Sequence, residues 1–167
     1  NVIVVGRAEE TVNFGGSDLD AGGSPNAFAV KLTKDGAHVW SAMYGDAAVQ
    51  EATAVAADTN GNAYVTGTFF GTISFDGGVT SLTSVGAQDV FVVKLDPAGA
   101  ILWAKAFTGT GAQYGRGIAI DTNGNVYVTG SFNGTANFLG TMATSASLLD
   151  GYLVKLSAAG ALTWVKT

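Results

Sequence analysis

The chain has 167 residues, 47 % of them hydrophobic and 13 % charged, which is enough apolar material for one sizeable core. Its net charge of −5 includes only eight Lys and Arg, and they are scattered singly. That leaves no basic stripe to neutralise phosphates and argues against nucleic acid as a partner. With no cysteine, disulfides and thiolate-metal sites are excluded, although the compartment is not fixed by this.

The chain opens without Met or a signal peptide, and no apolar run approaches the ~18 residues of a membrane-spanning helix. It reads as an excised or mature segment with no transmembrane part. Twenty-four Gly and two Pro, with frequent Val, Thr, Phe and Tyr, describe a turn-dense all-β chain, and nothing reads as a helix.

In chain order, Val2 to Val5, Phe28 to Leu32 and Val39 to Met43 read as strands, with an Asp35-Gly36 turn between the last two. Ala52 to Ala57 is a strand that is small and apolar on both faces. Asp58-Thr-Asn-Gly61 is then a hairpin turn, because Asp bonds the backbone two residues on and Asn-Gly accepts left-handed conformations. Asn62 to Phe69 follows as a strand. After it, Gly71 to Ala87 is a Gly-, Ser- and Thr-rich connection with a short β excursion near Ile73 to Phe75. Asp89 to Leu95, a Pro97-containing turn closed by Gly99, and Ala100 to Phe107 complete this unit. The same order returns with strands at 117–120, 126–132, 152–156 and 162–166.

Asp58-Thr-Asn-Gly-Asn-Ala-Tyr-Val-Thr-Gly67 and Asp121-Thr-Asn-Gly-Asn-Val-Tyr-Val-Thr-Gly130 are nearly the same words, and Asn1-Val-Ile-Val-Val-Gly6 is the tail of a third copy. Stacked four-stranded antiparallel units are what this period predicts. The expected architecture is a β-propeller segment, one array over 1–167, with blades at 1–48, 49–110 and 111–167, the first lacking its innermost strand. Three blades do not close a ring, so further blades of the same chain, or another copy, are the expected partners.

The run Asn-Val-Tyr-Val-Thr-Gly-Ser-Phe, then Asp-Val-Phe-Val-Val-Lys-Leu-Asp-Pro-Ala-Gly, then Leu-Trp-Ala-Lys, resembles the SBBP repeat, the bacterial seven-bladed β-propeller repeat. Lys31, Lys94 and Lys155 recur with it, as do Trp40, Trp103 and Trp164. The first unit departs from it at Arg7 to Glu10, and at Ala42 where the others have Lys105 and Lys166. The resemblance implies a propeller in exported or surface-attached bacterial proteins, often beside adhesion modules, and it brings no catalytic residues. The expected function is a non-catalytic scaffold or interaction module, extracellular or on the bacterial surface, with a protein or glycan ligand. The alternatives are a carbohydrate-binding propeller and, further off, a glycan-active hydrolase or lyase using two carboxylates.

Asp58, Asn60 and Asn62, with Asp121, Asn123 and Asn125, place oxygen-bearing side chains at alternate positions as calcium loops do. No bidentate Glu follows at the required spacing, so a plain turn is preferred over a Ca2+ site, and no cofactor is expected. The three Lys, on central strands, are expected to meet Asp89, Asp150 and Asn26 of the same strands in a repeated polar contact. The Trp read as blade-to-blade core, with exposed sugar platforms as the alternative. Gly109 to Gly115 lacks the helix that a phosphate loop needs. Gln113, Tyr114 and Arg116, with Gln50 and Glu51, lie on connections that reach toward the axis and are candidate binding residues, with packing and solvation as the preferred reading. His38 reads as solvated, and Asn133 as a loop residue in a glycosylation-type triplet.

Overall fold

The computed structural model describes residues 1–167 and contains fifteen strands and no helix. β1 (Val2–Ala8), β2 (Asn26–Leu32) and β3 (His38–Tyr44) form the first sheet, in that order. β4 (Gln50–Ala57) and β5 (Ala63–Phe69) are followed by a hairpin, β6 (Thr72–Ser74) and β7 (Ser81–Thr83), and then by β8 (Asp89–Leu95) and β9 (Ile101–Gly109). The third unit repeats this with β10 (Gln113–Ile120), β11 (Val126–Phe132), the hairpin β12 (Thr135–Phe138) and β13 (Thr141–Thr144), then β14 (Asp150–Leu156) and β15 (Leu162–Lys166). In the second and third units the four principal strands pair antiparallel in chain order.

Period-2 alternation decides how the units stack. On β5, Val65 and Ala63 join the core shared with Ala27 and Ala29 of the first unit, together with Phe91 and Val93 of β8. Tyr64, one residue along, joins Val90, Val92, Val126 and Val128 in the core between the second and third units. The central strands of the second unit are therefore apolar on both faces, as a sheet covered on both sides must be.

The innermost strands converge closely. Thr53 Oγ1 of β4 donates to the carbonyl of Gly115 on β10 at 2.8 Å, and the small residues of these strands make room for the approach. Both strands carry a bulge, at Thr53 and at Arg116, where the pairing register shifts. The bulge pushes the carbonyls of Glu51 and Tyr114 against Gly67 and Gly130, where any Cβ would collide with them. That clash is the physical reason for Gly in the repeated Val-Thr-Gly. The bulge also hides the beginnings of β4 and β10 from an alternation test, so both start earlier than the sequence pattern suggests. Gln113, Tyr114 and Arg116 are thus on a strand, and the connection before it is only residues 110–112.

The hairpins between the second and third principal strands tie units together. β12 pairs with β9 of the preceding unit, through Phe138 opposite Phe107, and extends that sheet to six strands. Ser74 of β6 likewise accepts a hydrogen bond from Gly45, just past β3, at 3.1 Å. The first unit's hairpin, bridged at Val12 and Leu19, instead folds over its own sheet. Phe14 meets Phe28 at 5.0 Å between ring centroids, and Gly15 and Gly16 lie on His38. His38 is consequently half-buried, with Nε2 3.0 Å from Ser41 Oγ, rather than solvated as expected.

Candidate functional site

The recurrent Lys and Trp come together at the junctions between units. Lys31 is paired with Trp40 across β2 and β3, and Lys94 with Trp103 across β8 and β9, so each pair emerges side by side. Lys31 Nζ and Trp40 Nε1 both donate to one acceptor, the carbonyl of Pro97 in the next unit's turn, at 2.9 and 3.1 Å. Lys94 Nζ and Trp103 Nε1 do the same to the carbonyl of Ala158, at 3.5 and 3.2 Å. The indole lies on the glycine two residues later: a Cβ at Gly99 would sit 2.9 Å from Trp40, and one at Gly160 3.1 Å from Trp103. Both glycines have positive φ, +90° and +77°, as the tight turn requires.

The expected Lys–Asp contact is therefore absent. Asp89, fully buried, accepts instead from the backbone N–H groups of Val85 and Gly109 at 2.6 and 3.0 Å. Asp150 accepts from Ala146 N–H and Ser147 Oγ. Lys31 and Lys94 are stabilised by the turn carbonyls, and Lys94 and Lys155 by the faces of Tyr64 and Tyr127 at 5.0 and 5.2 Å. The Trp rings are half-buried between units, so blade-to-blade packing describes Trp40 and Trp103. The tyrosines escape sequence reasoning, although their register opposite Lys94 and Lys155 is a usable signal.

The Asp-Thr-Asn-Gly-Asn turns form one wall of each junction. Asp58 Oδ1 accepts from the N–H groups of Asn60 and Asn62, and its Oδ2 accepts from Asn62 Nδ2 and the Tyr64 hydroxyl, at 2.7–3.1 Å. Asp121 repeats all four bonds with Asn123, Asn125 and Tyr127. Partial burial pushes the Asp58 carboxyl up, but the bonds from Asn62, Tyr64 and Asn60 outweigh it and hold the group below the usual range. The Asn125 amide leads the same lowering at Asp121. A cation at either turn would have to displace these donors.

Between the two turns lies a polar groove of about 320 Å³, lined by Asn60, Asn62, Tyr64, Lys94, Asn123 and Ala158 among others. A counterpart of about 280 Å³ between the first and second units is lined by Ile3, Lys31, Val55 and Asp58. The grooves open on the face that carries the turns. The segments proposed as binding connections are at the opposite end of the strands.

Of those candidates, Gln50 and Gln113 are fully buried and present no surface to a ligand. Gln50 Nε2 donates to Asp46 Oδ1 and to the carbonyls of Phe70 and Thr72, at 2.9, 3.2 and 3.5 Å. Gln113 Nε2 donates to the carbonyl of Asn133 at 3.4 Å. Each glutamine thus satisfies backbone groups of the loop leading into its unit's hairpin. Glu51 and Tyr114 are half-buried and Arg116 is exposed, with its guanidinium 4.9 Å from the Tyr114 ring centroid. The structure does not gather these residues into a cleft. Asn133 is no free loop residue either: its Oδ1 accepts from Ala112 N–H at 2.7 Å.

This architecture of repeated, latched antiparallel sheets is that of a β-propeller segment. Residues 102–138 match the SBBP beta-propeller repeat, which spans β9, β10, β11 and β12. The chain is also 28 % identical over 162 residues to an uncharacterized WD repeat-containing protein of Acanthamoeba polyphaga mimivirus, across 80 % of this chain. It spans 12 % of the length of that relative. Repeat match and relative together support a propeller scaffold or interaction module. No helix is long and apolar enough to cross a membrane.

Proposed function

We propose that the chain is a non-catalytic scaffold segment of an exported bacterial surface protein, one that holds its turn and hairpin faces in fixed register for a partner. One observation supports this above others: the polar and aromatic groups that recur with the repeat are engaged in building junctions. Asp58 and Asp121 are occupied by four donors each, and Lys31, Lys94, Trp40 and Trp103 by turn carbonyls. A residue fixed in this way orders the array and leaves little for chemistry. Location is tested by brief protease treatment of intact cells carrying the full-length protein. Peptides of this chain released before lysis support the reading, and release only after lysis refutes it.

The groove at the second junction favours a carbohydrate ligand as the second reading. Its amides, the Tyr64 hydroxyl and Lys94 are the donor and acceptor types that sugar hydroxyls use, and the site is distinct from the Trp rings. A glycan array probed with the wild type and with Asn60→Ala/Asn123→Ala decides it. Binding lost in the variant supports the reading, and a blank array removes it.

A further inference from the structure

We infer that the outer edge of β13 takes up an extended, uncharged segment of a partner protein as a further strand of the six-stranded sheet. That sheet belongs to the second unit, and both of its neighbours, the first and third units, are present in the chain. Its inner edge is β4 and its outer edge is β13, so the open side points away from the junctions on which units stack. β13 pairs with β12 alone. Ser145 N–H donates to Gly134 O at 2.9 Å, and alternation along an antiparallel pair then turns Thr141 and Ala143 toward β12 as well. The N–H and C=O groups of Met142 and Thr144 are left facing outward at strand spacing, with no partner from this chain.

Sheet edges are commonly guarded by charge, Pro or a bulge, and this one has none of the three. No charged residue stands between Asp121 and Asp150, neither β12 nor β13 contains Pro, and their register runs without a shift. The hairpin β6–β7 is less open, because β7 has three residues and Asp76 stands in the turn before it. The β12–β13 turn is Leu139 and Gly140, with φ of +52° and +102°, and Leu139 is the one residue other than Gly with left-handed backbone. Two such residues make a tight hairpin turn whose twist matches its strands and carries the pairing up to the tip. Leu139 is held there by packing on the core, and Gly140 N–H donates to Asn137 Oδ1 at 2.6 Å.

The occupant is defined by continuity with a pairing already in the fold. β12, from the third unit, adds to β9 of the second, with Thr110 N–H donating to Thr135 O at 3.0 Å beside it, and this leaves the sheet open again one hairpin further out. A partner strand repeats that addition on β13. Its side chains alternate between two surroundings. Opposite Ala143 they face the side on which Ala136 and Ala143 pack in the core between the second and third units, which suits Val, Ile or Leu. Opposite Met142 and Thr144 they meet a 60 % exposed thioether and a hydroxyl 3.2 Å from Thr135 Oγ1, which suits Ser or Thr and gives a charged side chain no counter-ion. This docking surface goes beyond the scaffold reading and rests on it, yet the two fail separately: a chain that takes no strand leaves the cell-surface and the glycan results standing.

Capped peptides of about nine residues that alternate Val or Leu with Thr or Ser, arrayed beside versions carrying Lys or Asp at the Thr and Ser positions, are probed with the full-length protein. Neutral peptides are expected to bind, and hydrogen exchange to slow at Met142 and Thr144 but not at the Asn60 and Asn123 turns. Met142→Pro removes an outward N–H without touching the bonds to β12, and Thr144→Lys places a charge on the edge. Each is expected to weaken binding by at least about tenfold, whereas Met142→Leu, which keeps the N–H, stays within about threefold. Far-UV circular dichroism confirms the fold of each variant. N-methylation of alternate peptide residues removes the same hydrogen bonds from the partner's side, should Met142→Pro unfold. A blank array, a preference for charged peptides, binding that survives these changes, or protection confined to another segment overturns the inference. So does a blank array with self-association that Thr144→Lys abolishes, which would assign the edge to a second copy.

Discussion

The same indole sits in three contexts in this chain, which allows the latch to be weighed by substitution. Trp103→Ala removes a half-buried ring, a hydrogen bond to the carbonyl of Ala158 at 3.2 Å and an edge contact with Tyr64 at 6.2 Å. A fully buried Trp→Ala change costs about 3–5 kcal/mol, so half burial gives about 2 kcal/mol. The hydrogen bond adds about 1 kcal/mol and the aromatic edge about 0.5 kcal/mol, less some overlap, for a total near 3 kcal/mol. Trp40→Ala has the same acceptor geometry and should cost about as much. Trp164→Ala gives up only its packing around Tyr127, at 6.2 Å, and should cost about 1 kcal/mol. Urea unfolding followed by far-UV circular dichroism, in dilute solution, measures all three without relying on the fluorescence of the residues removed. Slopes must match those of wild type for the midpoints to be compared. Equal losses at the three positions would show that the turn carbonyl and the adjoining unit contribute nothing, and the latch would reduce to ordinary ring burial.

Gly67→Ala and Gly130→Ala drive a methyl into the carbonyls of Glu51 and Tyr114; each should destabilise by about 2–4 kcal/mol in the same assay. Gly6→Ala meets only the Phe28 ring, which can turn aside, and should cost about 1 kcal/mol or less. Burial pushes Asp89 up to about 6, against the lowering from the Val85 and Gly109 N–H groups, so the folded chain holds its proton where the unfolded chain does not. Stability should therefore fall as pH rises from about 4 to about 6, by of order 2 kcal/mol, and Asp89→Asn should flatten that slope in pH-dependent melts. Asp58 and Asp121 have the opposite sign: their contribution is present above the usual carboxylate range and is lost as pH falls below it. Asn133→Ala leaves Ala112 N–H without its acceptor and should cost about 1–2 kcal/mol, where a surface substitution would cost about 0.5 kcal/mol or less. Millimolar calcium is expected to leave the melting temperature unchanged, and a rise would place a cation at Asp58 or Asp121 despite their four donors.

The fold was legible wherever alternation or turn chemistry is local. Val-Tyr-Val-Thr-Gly declares a strand by its period, and Asp-Thr-Asn-Gly declares a turn by the φ that Asn and Gly accept. What escaped is what depends on the neighbouring unit. A lysine on a central strand asks for a partner, and a carboxylate on the same strand is the nearest candidate in sequence. Its actual acceptor at Pro97 is a backbone atom 66 residues away, and no side chain there marks it. Gln50 and Gln113 look like surface polar residues because burial of an amide pays only when carbonyls converge on it, and convergence is a property of the loop's path. The bulge at Arg116 broke the alternation and so concealed the first half of β10, whereas on β4 only Gln50 and Glu51 were missed.

The latch also gives the array a direction and a tolerance. Side-chain donors lie on the leading unit, while the receiving side offers only a peptide oxygen and a glycine, so it is indifferent to whether Pro97 or Ala158 supplies that oxygen. A duplicated or transplanted copy of the repeat therefore arrives able to receive any predecessor that retains Lys and Trp. Lengthening by recombination needs no matched change on the two sides of the new boundary, and the receiving turn can diverge in sequence at little cost.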